Sequence, residues 1–347
     1  MKRAYAYTML VVLWWAVSPS VLKSLLLAEG PGARLTPLEV AFWAIGCGWV
    51  SLSVVLAARG RLAKVREVAG RGWVVLVVMG LLGWAAYEVA LNVAFVHLPL
   101  PNAIVINYLH PVFVVVFQGA MFGAAVRRFS RWEQAPEVKG RPSAGRIAAG
   151  LGLCLLGVAM VATNGRLSQL AGMSSAIGAG AALFAAFAWG VYSNLGRFVA
   201  MRPGRDGRRL GDVQTWVAMT FGVVFMGAAL LARGGMRVPM GYEAQLYLGG
   251  WGPATVSAWW LMALNGVVVY CGGFTLWLVA LELGAEAGEA HKLPPLTYLT
   301  PVLAVIIGWV VLHEGFGAGF WQGAALVTAG NALILWRGRA GKVLTSE

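Results

Sequence analysis

Charge is what this sequence has least of. Only 12% of its 347 residues are Asp, Glu, Lys or Arg, about half the share of an ordinary soluble domain. Acids are the scarcer sign, 14 against 27 Lys and Arg. Cysteine is nearly absent: Cys47, Cys154 and Cys271 stand far apart, each inside an apolar run. That spacing excludes a disulfide framework and a cysteine metal site. Enzyme signatures are lacking too. His313-Glu314 has no second histidine one turn on, so the metalloprotease helix is excluded. Gly178 and Gly180 lie in an apolar run without a Walker-type lysine, which speaks against direct drive by ATP. No cofactor, no metal and no catalytic residue is expected.

What is present is hydrophobicity in long blocks: 59% of residues are apolar, with mean hydropathy +0.72. About 20 apolar residues in a helix span a bilayer core. With no water there, each backbone polar group must be satisfied within its own segment, so the blocks must be helices. Ten spans are expected, at 4–27, 38–57, 72–96, 102–122, 146–162, 174–199, 213–232, 254–281, 287–312 and 317–336. The first is too long for the apolar core of a signal peptide.

The net charge of +13 superficially suggests nucleic acid, but the cations sit in short clusters between apolar blocks. Most lie after the second span (Arg59 to Arg71), after the fourth (Arg127 to Arg146), after the sixth (Arg197 to Arg209) and at the two termini. The other loops hold only Arg34, Arg166, Arg233 and Arg237. This is a positive-inside pattern. It implies a multi-pass protein of the inner (plasma) membrane with an even number of spans and both termini cytoplasmic. The lipid bilayer is then the expected partner and nucleic acid is not.

The chain also repeats itself. Residues 90–112 and 280–302 align without a gap and share Tyr-Leu-x-Pro-Val, at Tyr108 to Val112 and Tyr298 to Val302. Five spans fall in each half, an odd number, so two tandem repeats, 1–165 and 166–347, would lie upside down relative to each other. Inverted repeats around a central site are a common carrier plan. The expected fold is an all-α membrane protein of ten transmembrane helices in two inverted five-helix repeats.

Several stretches in order resemble a known family. They are Trp14-Trp15 with Pro19 and Lys23, Ala185 to Tyr192, Tyr298 to Val302 running on to Leu312-His313-Glu314, and Gly323 to Gly330. Together they resemble the EamA branch of the drug/metabolite transporters. The resemblance implies a small-molecule carrier, an exporter by default, with a cavity lined by spans 1, 3, 4, 6, 8 and 9. The chain departs from the pattern in two places. Its fourth span lacks a closing Glu, and its ninth opens on Glu286, Glu289, His291 and Lys292.

Ionisable groups inside a bilayer are costly and mark pathways or pairs. Lys23 and Glu88 both fall in spans, and Asn92 lies one turn after Glu88 on the same face. Glu88 is the candidate coupling group. Lys292 adds a charge at the ninth span. Proline withholds the helical hydrogen bond to the carbonyl four residues back; Pro111 and Pro301 would therefore free Asn107 and Thr297. Around them stand Tyr108, His110 and Tyr298, with Tyr192 on the sixth span. The candidate substrate residues are Lys23, Glu88, Asn92, Asn107, Tyr108, His110, Tyr192, Lys292, Thr297 and Tyr298. Tyr87, Trp189, Tyr270 and Trp277 could add an aromatic wall.

The function these readings favour is a secondary carrier moving a small polar or amphipathic metabolite by alternating access, as a monomer or weak dimer. Two alternatives stay open. One is an intramembrane enzyme acting on a lipid-linked substrate; the other is a non-transporting sensor or assembly partner docking through the loop 127–146.

Overall fold

The computed structural model describes residues 2–70, 72–110, 113–114, 117, 144–162, 165, 176–200, 210–247, 253–286, 293, 296–297, 299–312 and 317–335. These are mostly helix. Six helices are long and apolar enough to cross a membrane: Lys2–Leu27, Pro37–Ala58, Trp73–His97, Ala176–Gly196, Gly211–Ala232 and Ala258–Ala280. They match the first, second, third, sixth, seventh and eighth expected spans. Their outward faces carry large apolar side chains such as Val54, Trp73, Val224 and Trp260, each more than half exposed. Lipid, not water, suits such a surface.

The helices are labelled in chain order. α1 is Lys2–Leu27 and runs unbroken through Pro19. α2 is Pro37–Ala58, and α3 is Trp73–His97. α4 is Leu100–Asn107, α5 is Ala144–Ala162 and α6 is Ala176–Ala200. α7 is Gly211–Ala232. α8 covers 258–286, α9 is Leu299–Leu312 and α10 is Ala318–Leu335. Between α7 and α8 a small antiparallel hairpin pairs Glu243–Tyr247 (β1) with Pro253–Ser257 (β2). Glu29, just past α1, extends it by one bridge to Glu243. No hairpin was expected there, because the strands are too short to show an alternating pattern.

The expected fourth and ninth spans are broken in the structure. α4 stops at Asn107, and Tyr108 and Leu109 form a turn. α9 begins only at Leu299, so Pro301 sits in its first turn. First-turn N–H groups have no partner within the helix, so Pro301 breaks no bond to Thr297. The expected freeing of that carbonyl is corrected. Pro111 lies outside the described residues.

The chain forms two compact units, Met1–His110 with Ser175–Phe316, and Pro111–Ser174 with Gly317–Glu347. In the first, α3 and α8 each contain a wide π-helical segment, Gly80–Ala86 and Asn265–Gly273. Such turns cluster at functional places in helices. Each is wedged against a straight helix, and the two contacts match atom for atom. A Cβ on Gly48 of α2 would stand 2.7 Å from Tyr270 Cβ and 3.1 Å from the Gly266 carbonyl. A Cβ on Gly222 of α7 would stand 2.6 Å from Trp84 Cβ and 3.2 Å from the Gly80 carbonyl. Seen from the π segments, Gly266 abuts Cys47 and Ala44, and Gly80 abuts Phe221 and Ala218. The remaining helices obey the same exchange: α1 packs on α9 and the second part of α8, α6 on α4 and the second part of α3.

α2 and α7 run antiparallel. Glu39 in the first turn of α2 meets Arg237, beyond the end of α7, at 3.2 Å. Asp212 in the first turn of α7 meets Arg61, beyond the end of α2, at 2.9 Å. Both helices end alike, at Arg59-Gly60 and Arg233-Gly234, with the glycines at φ +64° and +93°. Arg61 N–H reaches the Leu56 carbonyl and Gly235 N–H the Leu230 carbonyl. This is the left-handed cap that glycine adopts without strain. α2 also starts firmly, with Thr36 and Glu39 forming a reciprocal capping box ahead of Pro37.

In the second unit α5 and α10 pack as an antiparallel pair. Gly157 abuts the Gly323 carbonyl and Gly330 the Gly150 carbonyl. Arg146 donates to the Leu333 carbonyl at 2.8 Å. Small residues let membrane helices approach this closely.

Candidate functional site

The π segments bring the polar and aromatic residues of the first unit together. Trp84, in the segment of α3, touches Tyr270 from that of α8 edge-on, with ring centroids 6.0 Å apart. Trp84 also packs on Phe274 at 4.9 Å and on Tyr192 of α6 at 6.1 Å. Trp189 of α6 joins Tyr87, Tyr192 and Phe274. Trp15 of α1 closes the far side against Phe274 and Trp277. Gly83 is what lets Tyr192 lie flat on α3, since any Cβ there would enter the ring.

Into this aromatic lattice the chain sets polar groups that remain unsatisfied. Glu88 is buried, 5% exposed, and its Oε2 has no hydrogen-bond partner. Tyr270 stands beside both Glu88 and Asn265, yet its hydroxyl completes no hydrogen bond, and neither side-chain polar atom of Asn265 has a partner. Asn92, fully buried one turn from Glu88, donates to the Pro37 carbonyl at 3.3 Å, while its Oδ1 is unpartnered. Asn107 donates to the Tyr87 hydroxyl at 3.3 Å, and its Oδ1 is unpartnered as well. Buried polar groups normally find partners. Several such atoms stand around one carboxylate and form a polar centre.

The remaining expected residues fall as follows. His110 donates from Nδ1 to the Asn107 carbonyl at 3.2 Å, and its ring lies between Tyr108 and Trp189. Tyr108 lies beside Thr300 of α9, whose buried hydroxyl has no partner. Thr297 is half-buried in the turn before α9. Lys23 is buried on α1 and donates to the Leu98 carbonyl at the α3–α4 corner, at 3.0 Å. Lys292 and Tyr298 lie outside the described residues, as do Glu289 and His291. Among described residues, no three His, Cys, Asp or Glu side chains gather as a metal site would require.

Trp84, Phe274 and Asn265 were missed as candidates. Asn265 could have been found, because an amide inside an apolar span is itself a signal. Trp84 could not be separated from the other tryptophans, 16 in all.

Relatives place this architecture. A 26% identical relative, over 96% of this chain and 93% of its own length, is a probable terminal-alkyne amino-acid exporter of Streptantibioticus cattleyicolor. A putative permease-like protein, YdzE of Bacillus subtilis, is 30% identical over 71 residues, covering 20% of this chain and 85% of that protein. A solved crystal structure superposes with a TM-score of 0.56 at 20% identity, covering 96% of each chain; at that identity it supports the fold alone. The EamA-like transporter family matches residues 2–130 and 176–336, and this chain, mostly helical, multi-pass and built of two repeats, belongs to that family.

Proposed function

We propose that the chain is a secondary carrier for a small polar or amphipathic metabolite, working by alternating access, with export as its direction. The repeats 1–165 and 166–347 are inverted copies of five helices each, lying in the inner membrane with both termini cytoplasmic. The matched glycine contacts of α2 on α8 and α7 on α3, with α2 and α7 antiparallel to each other, support the inversion. The cation clusters support the orientation. The exporter name of the full-length relative makes an amino acid with an apolar side chain the first compound to try.

The observation that carries the reading is the unsatisfied polar centre where π segments of both repeats meet. A group bound there touches both halves, which a rocking carrier requires. Lys23, Asn107, Tyr108, His110, Tyr192, Lys292, Thr297 and Tyr298 belong to the proposed wall, with Glu88 and Asn92 at its centre. Glu88 is the proposed proton-coupling group, flanked by the hydroxyl-bearing rings of Tyr87 and Tyr270. In proteoliposomes, wild-type efflux of apolar amino acids is expected to respond to a pH gradient, and Glu88→Gln to lose that response. An unchanged pH response in the variant would remove Glu88 from coupling; absence of protein-dependent flux would remove the carrier reading.

A further inference from the structure

On α3 the unsatisfied atoms of the Glu88–Asn92 pair have a sign. The sole carboxylate in the described polar centre, Glu88, leaves Oε2 unpaired. Asn92 is oriented by its own bond: its amide nitrogen must face the Pro37 carbonyl, so its unpartnered atom is an acceptor oxygen. Glu88 and Asn92 are four apart on α3 and share one helix face. Across from them Asn265 leaves both its amide oxygen and its amide nitrogen unpartnered, with Tyr270 standing between. A carboxylate and an amide oxygen on one buried helix face suit a positively charged donor of several hydrogen bonds. The walls suit the same charge, because the faces of Trp84 and Tyr270 attract cations.

Resting on the carrier reading, we propose that the transported compound is recognised by a protonated primary or secondary amine, seated on Glu88 and Asn92, with an apolar body among the aromatic rings. The demand is for N–H donors as well as charge. An ammonium nitrogen bearing hydrogens can reach both oxygens; a trimethylated nitrogen offers only charge and leaves them orphaned. A carboxylate without an amine is repelled by Glu88 and supplies no donor to the Glu88 and Asn92 oxygens.

The test uses four probes that share one body: phenethylamine, its N,N,N-trimethyl analogue, 2-phenylethanol and phenylacetate. Binding to the full-length protein in lipid nanodiscs is measured by calorimetry at one pH. Phenethylamine is expected to bind about ten- to a hundredfold more tightly than 2-phenylethanol, the range of a hydrogen bond to a charged group. The trimethyl analogue should fall between them and phenylacetate should be weakest. In Glu88→Gln the amine should lose its advantage over the alcohol. The proposal is overturned if the alcohol or phenylacetate binds as well as the amine, if the trimethyl compound equals it, or if no probe binds. The wild-type ranking decides the matter even where the variant fails to fold. Efflux of each bound probe from proteoliposomes separates the two readings. An amine that binds but does not cross keeps the recognition and defeats the carrier; phenylacetate crossing while the amine does not bind defeats the recognition and keeps the carrier.

Discussion

Two regions of the first unit are built from the same kinds of residue and end in opposite conditions. Along the antiparallel contact of α2 with α7, polar groups find partners. Trp49 donates to the Thr220 hydroxyl at 2.8 Å, and Trp216 donates to the Ser53 hydroxyl at 2.6 Å. Each hydroxyl passes its own proton to the carbonyl of the tryptophan one turn back, and the two indoles stack at 6.0 Å. Ion pairs tie both ends. A few turns away, between α3 and α8, more deeply buried polar atoms have no partners. Unmade hydrogen bonds inside a membrane are costly, so a fold that completes one set and leaves the other open is separating structure from function. The contrast also marks which substitutions should harm folding and which should harm ligand handling.

The largest effect should come where the two regions touch. A Cβ at Gly266 would lie 2.5 Å from Cys47 Cβ and 2.8 Å from the Ala44 carbonyl. Its counterpart Gly80 would lie 2.5 Å from the Ala218 carbonyl and from Phe221 Cβ. Gly266→Val and Gly80→Val should each cost about 3 kcal/mol or more by overpacking, seen as loss of the monodisperse peak in detergent and a lower Tm. Gly46, on α2 with nothing within 4 Å, should accept Ala without a measurable shift. Similar losses at Gly46 and Gly266 would mean that the close contact does not set the effect, since helix propensity alone favours replacing Gly.

Next comes the end of the seam that holds Glu39. This carboxylate accepts from the backbone and hydroxyl of Thr36 at 2.8 Å each, and from the backbone N–H and Nε of Arg237 at 2.9 and 3.2 Å. Glu39→Ala removes the helix cap and the tie together and should cost about 2 kcal/mol. Asp212→Ala removes one bond to Arg61 and its own cap to Val213 N–H, and should cost about half as much. Thermal unfolding of the two variants side by side checks the order. Equal losses would show that the extra bonds at Glu39 carry nothing.

Much of the fold was legible in the sequence, because apolar runs separated by cation clusters leave few alternatives in a bilayer. The two-repeat plan was legible from one matched stretch, Tyr108 to Val112 against Tyr298 to Val302. A second match lay unread at Leu56-Ala57-Ala58-Arg59-Gly60 and Leu230-Leu231-Ala232-Arg233-Gly234, where both seam helices end on the same cap. The π segments were not legible. Gly80, Gly83 and Gly266 look like ordinary small residues, and only the neighbouring helix shows what they admit. The site was half legible. Glu88, Asn92 and Asn107 announced themselves as polar residues in apolar spans. The partner of Lys23 did not, since reaching Leu98 depends on how α1 crosses the α3–α4 corner. The break at Tyr108 was hidden because mostly apolar sequence continues through it, whereas the one before Leu299 was signalled by Pro294-Pro295 and went unread.

The smallest expected effect is the most selective test of the contrast. Trp49→Phe keeps a ring in the stack and removes one indole N–H, leaving Thr220 still bonded to the Trp216 carbonyl. The loss should be about 1 kcal/mol, the net worth of one hydrogen bond. Trp216→Phe should cost about the same, because Ser53 keeps its own bond to the Trp49 carbonyl. Neither should alter binding of any ligand at Glu88, since neither tryptophan joins the aromatic lattice around Trp84. Trp84→Phe shrinks a fully buried side chain packed on three rings, so it should cost stability through the cavity left and, unlike the other two, weaken binding as well. Stability measured beside affinity for these three variants shows affinity lost at Trp84 alone if the seam is structural and the centre functional. Parallel losses in both measurements for all three would merge the two regions into one packed core.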